Sequence, residues 1–264
     1  MGKTSISYLE GFKIWNFIQG CQKISSECKF CWSDGMQKRF NPGSEFSDIT
    51  YSLEKLHIKL PEKPSKIAVC FTSDIGLMSS NSNRQWQSGH DNLILSHAGV
   101  DERALIQTQF FNIMRDNPNH LFICLTKRPR MLWAWENCTG SQLRNIWLGT
   151  TIGCETSQYR ANELLEVKSR FPNIHPWLSI EPLIGPVNPE ICKGMEFVVV
   201  GGESGAGARA MDIEWVRPIR DYCLDNRIMF YFKQYAGREK SILLDGVEYR
   251  ETPWKFHVNK GQKQ

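Results

Sequence analysis

The chain has 264 residues, of which 41% are hydrophobic, and a formal net charge of +4. Its length and apolar content suit a single α/β barrel, and a charge this small permits a nucleic-acid partner without arguing for one, because nucleic-acid binders concentrate charge in patches. No apolar stretch is long enough to span a bilayer and no apolar signal-peptide block follows Met1, so we expect a cytoplasmic protein with no membrane partner.

The first predicted element is a strand over residues 12–18, and a loop with three clustered cysteines follows it. Cys21, Cys28 and Cys31 are spaced Cys-x6-Cys-x2-Cys, whereas the other six of the nine cysteines are scattered singly. A secreted disulfide scaffold is shorter and denser in cysteine, so we expect reduced thiols. Three neighbouring thiolates repel one another unless a cation draws them together, so metal ligation is a better explanation than free surface thiols.

The number of clustered cysteines favours iron over zinc. Structural zinc closes its tetrahedron with four protein ligands. A fourth ligand could come from His57 or His90, but neither lies in a recognisable second pair of ligands. A [4Fe–4S] cluster on three cysteines leaves one iron open to a reactive small molecule. The loop therefore predicts an iron–sulfur cluster, with zinc as the alternative.

From residue 66 onward, apolar runs alternate with helical patterns. This alternation predicts a parallel sheet covered by helices, and no Gly-x-Gly-x-x-Gly follows the first strand, which favours a partial or complete TIM-like βα barrel over a Rossmann fold. We expect the barrel over residues 1–236, with the cluster loop at 20–32 and a C-terminal extension at 237–264. The further strands are predicted at residues 66–72, 121–126, 146–151, 176–180, 197–200 and 228–233. The helices are predicted at residues 101–117, 130–136, 157–171 and 212–226.

Polar residues follow these strands at their carboxyl ends. The active site of a βα barrel is assembled from the carboxyl ends of its strands, so six such endings in register predict one shared site rather than ordinary solvated loops. The endings are Thr72-Ser73-Asp74, Thr126-Lys127-Arg128, Thr150-Thr151, Ser179-Ile180-Glu181-Pro182, Gly201-Gly202-Glu203-Ser204 and Lys233-Gln234.

Glu181 and Lys233 are the candidate catalytic residues. Glu181 follows a buried strand, and a carboxylate pointing into the barrel mouth needs a partner such as Lys233, Lys127 or a ligand. A purely structural ion pair is the alternative. Gly201 and Gly202 would let the backbone approach a ligand closely, or would simply form a turn.

Together these segments resemble a family of phage and bacterial proteins described as radical-S-adenosylmethionine-like. The resemblance covers about residues 10–236, and its specificity lies in the ordered series of short matches. The matching segments are Trp15-Asn16, Gly20-Cys21, Cys28-x2-Cys31, Ser73-Asp74, Leu125-Thr126-Lys127-Arg128-Pro129, Trp147-Leu148-Gly149, Glu181-Pro182-Leu183-Ile184-Gly185-Pro186, Gly201-Gly202-Glu203-Ser204-Gly205 and Phe232-Lys233-Gln234.

The resemblance implies a radical-SAM-like barrel in which S-adenosylmethionine binds the open iron and one electron from the cluster releases a 5′-deoxyadenosyl radical. The protein would orient this chemistry and shield it from water. By the resemblance, Phe30 contacts adenine and Asp74, beside Ser73, holds the methionine amino group, unless Asp74 only caps a helix. Glu203 is the candidate for the ribose hydroxyls. The remaining cofactor-binding candidates are Thr126, Lys127, Thr151, Gly201 and Gly202.

The same resemblance implies a three-cysteine-motif partner protein and, less directly, a nucleic-acid base or nucleotide as the substrate. The alternatives are a non-catalytic zinc-containing nucleic-acid-binding protein and the scaffold of a phage or defence complex. The sequence departs from most radical enzymes in the six-residue gap between Cys21 and Cys28, and in Phe17 and Trp32, where relatives usually have proline and tyrosine.

Overall fold

The computed structural model describes residues 1–78, 102–130, 143–205, 207–237 and 241–255. Five helices are described, and three of them lie between strands as the sequence predicts. The carboxylate of Asp212 accepts a hydrogen bond of 2.9 Å from the backbone N–H of Glu214 and so caps the start of the last helix. The helices are α1 (Trp32–Phe40), α2 (Leu53–Leu56), α3 (Glu102–Asp116), α4 (Tyr159–Arg170) and α5 (Ile213–Asp225).

Seven parallel strands form the main sheet, and they pair in chain order, β1-β4-β5-β6-β7-β8-β9. The sheet curls into a half barrel, and β1 and β9 remain its two edges within the described residues. The predicted partial βα barrel is therefore confirmed, and the described ranges of the chain do not close it into a complete barrel. The strands are β1 (Lys13–Trp15), β2 (Ile18–Gln19), β3 (Thr50–Tyr51), β4 (Lys66–Val69), β5 (Leu121–Thr126), β6 (Ile146–Thr151), β7 (His175–Ile180), β8 (Phe197–Gly201), β9 (Met229–Gln234), β10 (Leu243–Leu244) and β11 (Val247–Glu248).

The two faces of the sheet bury different side chains, because successive residues of a strand point to opposite sides. The outer face packs aliphatic residues against the helices, as Leu178 and Val198 do. The inner face of the curl is filled by large aromatic side chains, among them Trp177 and Phe197. Gly149 makes room for this layer, since a Cβ there would lie 2.2 Å from the Trp177 ring.

The strand boundaries differ from the predictions at the amino-terminal half. The predicted strand 12–18 divides into β1 and β2, because Ile18 pairs antiparallel with Tyr51 in a separate small sheet. The predicted strand 66–72 ends at Val69, because Cys70 has a φ of 51°, outside the extended region. The predicted helix 130–136 falls almost wholly outside the described residues.

The segment after Gly237 packs on the barrel. Trp254 is buried in the aromatic layer of the inner face, and its indole N–H donates a hydrogen bond of 2.8 Å to the carbonyl of Tyr8. Leu244 is buried on the outer face. Trp254 and Tyr8, which lie 246 residues apart in the chain, thus meet in the aromatic layer. Every helix among the described residues is too short or too polar to cross a lipid bilayer.

Candidate metal centre at the carboxyl edge of the sheet

The loop that carries the three cysteines lies against the carboxyl ends of the parallel strands. We call residues 20–31 the cysteine loop. Beyond the end of β4, the Ser73 hydroxyl donates a hydrogen bond of 2.5 Å to the carbonyl of Gly20. Beyond β5, Arg128 Nη2 donates one of 2.6 Å to the carbonyl of Gln22.

Two further contacts hold the second half of the cysteine loop. Beyond β6, the backbone N–H of Gly153 donates a hydrogen bond of 3.0 Å to Glu27 Oε1. Beyond β8, Arg209 Nη1 donates one of 2.8 Å to the carbonyl of Ser26. The cysteine loop is therefore tied to the ends of β4, β5, β6 and β8, the edge where active sites form in βα folds.

A buried ion pair anchors the middle of the cysteine loop. Glu27 lies 3.5 Å from Arg160 Nη1, and the two side chains are 0% and 1% exposed. A Cβ on Gly153 would lie 2.3 Å from Glu27 Cγ, so only glycine leaves space for this carboxylate. Burial opposes its ionisation, but hydrogen bonds from Ser157 and Ser25 and the charge of Arg160 hold the pKa of Glu27 below its ordinary value.

Gly20 fixes how the chain enters the cysteine loop. Its φ is +76°, a conformation that favours glycine, and a Cβ there would lie 2.3 Å from the carbonyl oxygen of Asp48. The next residue, Cys21, donates its backbone N–H to the carbonyl of Phe46 at 2.7 Å. The first cysteine thus follows a backbone turn that is packed against a neighbouring segment.

The three thiols of the cysteine loop are free and differ in environment. Cys28 is buried, whereas Cys21 and Cys31 are partly exposed. Burial raises the pKa of Cys21 to about 12. Burial also opposes ionisation of Cys28, but the Lys127 ammonium and backbone hydrogen bonds hold the pKa of that thiol below its ordinary value. Cationic groups therefore lie close enough to act on the sulfurs.

The described residues do not group possible ligands around one metal ion. Among the described residues, no three His, Cys, Asp or Glu side chains lie together as ligands of a single ion would. Sulfurs bound to one tetrahedral ion at about 2.3 Å lie within about 4 Å of each other, whereas in a cluster each cysteine binds a different iron and the sulfurs are further apart. His57, considered for zinc, hydrogen-bonds to Gln109 at 2.9 Å instead, and His90 lies outside the described residues.

Asp74 is the centre of a buried polar network next to the cysteine loop. Its carboxylate accepts hydrogen bonds from the Thr126 hydroxyl at 2.5 Å, from Arg128 Nη1 at 2.6 Å and from the backbone N–H groups of Gly76 and Lys127 at 2.9 and 3.0 Å. Burial opposes ionisation, but Arg128 and these donors keep the pKa of Asp74 below its ordinary value. The predicted residues Ser73, Asp74, Thr126 and Lys127 do come together, and protein donors occupy the Asp74 carboxylate.

Glu203 pairs with an arginine that the sequence interpretation did not single out. Arg209 Nη2 and Nε donate to the two Glu203 oxygens at 2.6 and 3.1 Å. The Arg209 guanidinium also lies 5.4 Å from the ring centre of Phe30, and the Lys29 ammonium lies 5.3 Å from it. Phe30 and Glu203, both predicted to contact the nucleoside, are thus brought together by Arg209.

A second polar group lies on the inner face, where strand alternation directs Glu181 and Lys233 towards each other. Lys233 Nζ lies 2.9 Å from Glu181 Oε1 and 5.8 Å from the centre of the buried Tyr8 ring. Burial and the neighbouring Glu181 carboxylate raise the pKa of Tyr8. The predicted pair is formed, and Tyr8 joins it from a segment that carries no recognisable motif.

The glycines of the β8 ending serve protein contacts. A Cβ on Gly201 would lie 2.9 Å from Glu181 Oε1, and one on Gly202 would lie 2.4 Å from the backbone nitrogen of Ala236. Thr151 is buried at the end of β6, and its carbonyl accepts a hydrogen bond of 2.9 Å from Arg160 Nη1. At the carboxyl edge, the two glycines therefore leave space for Glu181 and Ala236, and Thr151 binds Arg160.

The segment after β7 connects the two polar groups. Its Leu183 N–H donates to the carbonyl of Gly201 at 3.0 Å, and its Ile184 N–H donates to the carbonyl of Gly153 at 2.8 Å. Gly153 in turn binds Glu27 of the cysteine loop. Hydrogen bonds therefore connect the cysteine loop with the ends of β6, β7 and β8 along the carboxyl edge of the sheet. Sequence reasoning missed Glu27, Arg160, Arg209 and Tyr8, because each acts through a partner distant in the chain.

Comparison with known proteins gives one match. The model of a family described as "Protein of unknown function (DUF5131)" matches residues 3–253. No curated protein and no solved structure matches the chain.

Proposed function

The chain belongs to the DUF5131 family, and we propose that it is a radical S-adenosylmethionine enzyme with a [4Fe–4S] cluster on Cys21, Cys28 and Cys31. The observation that carries the proposal is the attachment of the cysteine loop to the ends of four parallel strands. A loop with only a structural metal would not need to share this edge with two groups of paired acids and bases.

The charges around the cysteine loop support an anionic centre there. Lys127 and Arg128 both favour the thiolate of Cys21, which burial and the Asp74 carboxylate oppose, and Lys127 favours that of Cys28. Three thiolates on an iron–sulfur cluster carry negative charge, which neighbouring cations stabilise. Two cations beside the cysteine loop therefore support the proposal.

One residue of the cysteine loop also suits a part of S-adenosylmethionine. The cofactor presents a flat adenine base, and the loop carries the exposed ring of Phe30, whereas Asp74 and Arg128 are already paired with each other. When bound to a reduced cluster, the cofactor would supply a carbon radical able to remove a hydrogen atom from a substrate. We assign Phe30 to adenine and Glu203 to the ribose, with Arg209 orienting both.

The inner group is the proposed site of proton handling. Lys233 and Glu181 form an ion pair whose side chains are 27% and 11% exposed, so the group is only partly shielded from water. Tyr8 contributes a hydroxyl whose raised pKa keeps it protonated. We assign to Glu181 and Lys233 the transfer of a proton to or from the substrate, after the radical has removed a hydrogen atom from it.

Anaerobic purification with iron and sulfide analysis tests the proposal. We expect a brown protein whose reduced form gives the paramagnetic resonance signal of a [4Fe–4S] cluster and converts S-adenosylmethionine to 5′-deoxyadenosine. Replacing any one of Cys21, Cys28 or Cys31 by serine should abolish the signal. A colourless protein with stoichiometric zinc would overturn the proposal in favour of a zinc-containing binding module.

Cys154 provides the matched control. It is a partly exposed free cysteine whose sulfur lies 3.6 Å from the hydroxyl oxygen of Ser26 in the cysteine loop. We expect Cys154→Ser to retain the cluster and the cleavage of S-adenosylmethionine. Loss of the cluster in this variant would make Cys154 a fourth ligand and would refute an open iron.

A further inference from the structure

Exposed apolar side chains concentrate next to the cysteine loop. Trp32, Met36 and Phe40 are 51%, 44% and 66% exposed. They stand at positions i, i+4 and i+8 of α1, so they form one stripe along its solvent face. We call these three residues the α1 ridge. Large apolar side chains gathered in solvent are characteristic of an interaction surface.

One basic side chain, Arg39, borders the α1 ridge. Arg39 is exposed, and its guanidinium lies 5.4 Å from the ring centre of Phe40. Asp34 is buried and is paired with Lys23 at 2.5 Å and Lys38 at 3.2 Å on the opposite side of α1. The α1 ridge therefore combines accessible aromatic rings with the positive charge of Arg39.

We propose that the α1 ridge binds a single-stranded nucleic acid. Unpaired bases would stack on Trp32 and Phe40, and a phosphate would pair with Arg39, which is the combination that proteins use to bind single strands. The bases of a duplex are already stacked on one another and offer no free face to these rings. The complementary partner is therefore a polyanion with accessible aromatic faces.

The spacing of the α1 ridge supports an extended strand. Residues four positions apart on a helix are separated by about 6 Å along its axis. Nucleotides of a stacked duplex strand are separated by about 3.4 Å, so the side chains of Trp32, Met36 and Phe40 match bases that are pulled apart rather than stacked together. A flexible, unpaired strand can adopt that spacing.

The α1 ridge also leads to the proposed radical centre. Helix α1 begins at Trp32, directly after Cys31, so a strand lying on the α1 ridge would pass the cysteine loop. The α1 ridge proposal rests on the proposed radical enzyme in one respect only, namely that the bound strand would be the substrate of that enzyme. Binding itself depends on α1 alone and can be measured whether or not a cluster is present.

Fluorescence anisotropy with a labelled oligothymidylate of about 12 nucleotides tests the proposal on the full-length protein. We expect binding that weakens as salt is raised. Phe40→Ala and Trp32→Ala should each weaken binding by roughly 5-fold to 150-fold, the range that corresponds to the loss of one base–aromatic stack. Arg39→Gln should reduce the dependence of affinity on salt.

Two matched controls keep the test specific. Leu224 is 49% exposed on α5, and Lys59 has a side chain that is 83% exposed in the segment before β4. Leu224→Ala and Lys59→Gln should leave binding unchanged. Absence of binding at low salt, equal binding of a duplex of the same length, or equal losses in the controls would overturn the proposal.

The two proposals can fail separately. If the protein lacks an iron–sulfur cluster but binds the oligonucleotide through Phe40, the radical chemistry is refuted and the α1 ridge remains a single-strand binding surface. If the cluster and cleavage of S-adenosylmethionine are present but no oligonucleotide binds, the α1 ridge proposal is refuted and the enzyme acts on another class of substrate.

Discussion

Replacing the buried carboxylate of Glu27 should destabilise the protein strongly. Glu27 and Arg160 lie 3.5 Å apart, with side chains 0% and 1% exposed. Glu27→Gln keeps the size of the side chain but leaves the Arg160 charge buried without its counter-ion. Removing one partner of a buried pair costs about 3–5 kcal/mol, and the amide oxygen can still accept the Gly153 N–H. We therefore expect a loss of about 3 kcal/mol in the free energy of unfolding.

Urea denaturation at neutral pH, followed by tryptophan fluorescence under reducing conditions, measures this loss. The matched control is Glu62→Gln, because Glu62 pairs with Lys59 at 3.1 Å while both side chains are 83% exposed. An exposed pair contributes at most about 1 kcal/mol, so the control should unfold almost like the unaltered protein.

A double variant separates the buried charge from other effects of the substitution. Glu27→Gln combined with Arg160→Met removes both charges, and we expect it to recover part of the lost stability. A loss below about 1 kcal/mol for Glu27→Gln, similar to a surface pair, would refute the reasoning. So would a double variant that is less stable than the sum of the two single changes predicts.

The remaining predictions concern the inner face and the C-terminal hairpin. Gly149→Ala should lower the free energy of unfolding by about 1–3 kcal/mol, because its Cβ would lie 2.2 Å from the Trp177 ring. Gly35→Ala in α1, where a Cβ would have nothing within 4 Å, should raise the free energy of unfolding by about 0.5–1 kcal/mol. Thermal melts of both variants measure the difference, and equal effects would contradict the prediction. Hydrogen bonds from Arg217 lower the pKa of Asp245 to about 2, below the roughly 3.9 of an unfolded chain. Its stabilising contribution is therefore present above about pH 4 and is lost as the pH falls through about 2. Asp245→Asn should therefore destabilise the protein most at neutral pH and clearly less at about pH 2. A loss of the same size at both pH values would contradict the assignment.

Much of the fold follows from local sequence patterns. Apolar runs such as 121–126 and 146–151 specify buried strands of the observed length, because a strand covered on both faces is apolar throughout. The helix 213–225 was predicted within one residue at each end, since its cap and its apolar spacing are both local. Helix α1 was missed for the opposite reason: its large apolar residues face solvent, so they leave no pattern of burial in the sequence.

The sequence by itself determined the candidate chemistry, and the tertiary structure decided how its parts are paired. Cys21, Cys28 and Cys31 stand out as candidate metal ligands from their spacing alone, and the polar endings of the strands follow from their position after apolar runs. The pairing of Glu27 with Arg160, 133 residues apart along the chain, has no local signature, because a buried charge is neutralised by whichever partner the fold brings to it. Only the tertiary structure could reveal that the cysteine loop is fastened to four strand ends, since each of those contacts joins segments that are remote in sequence.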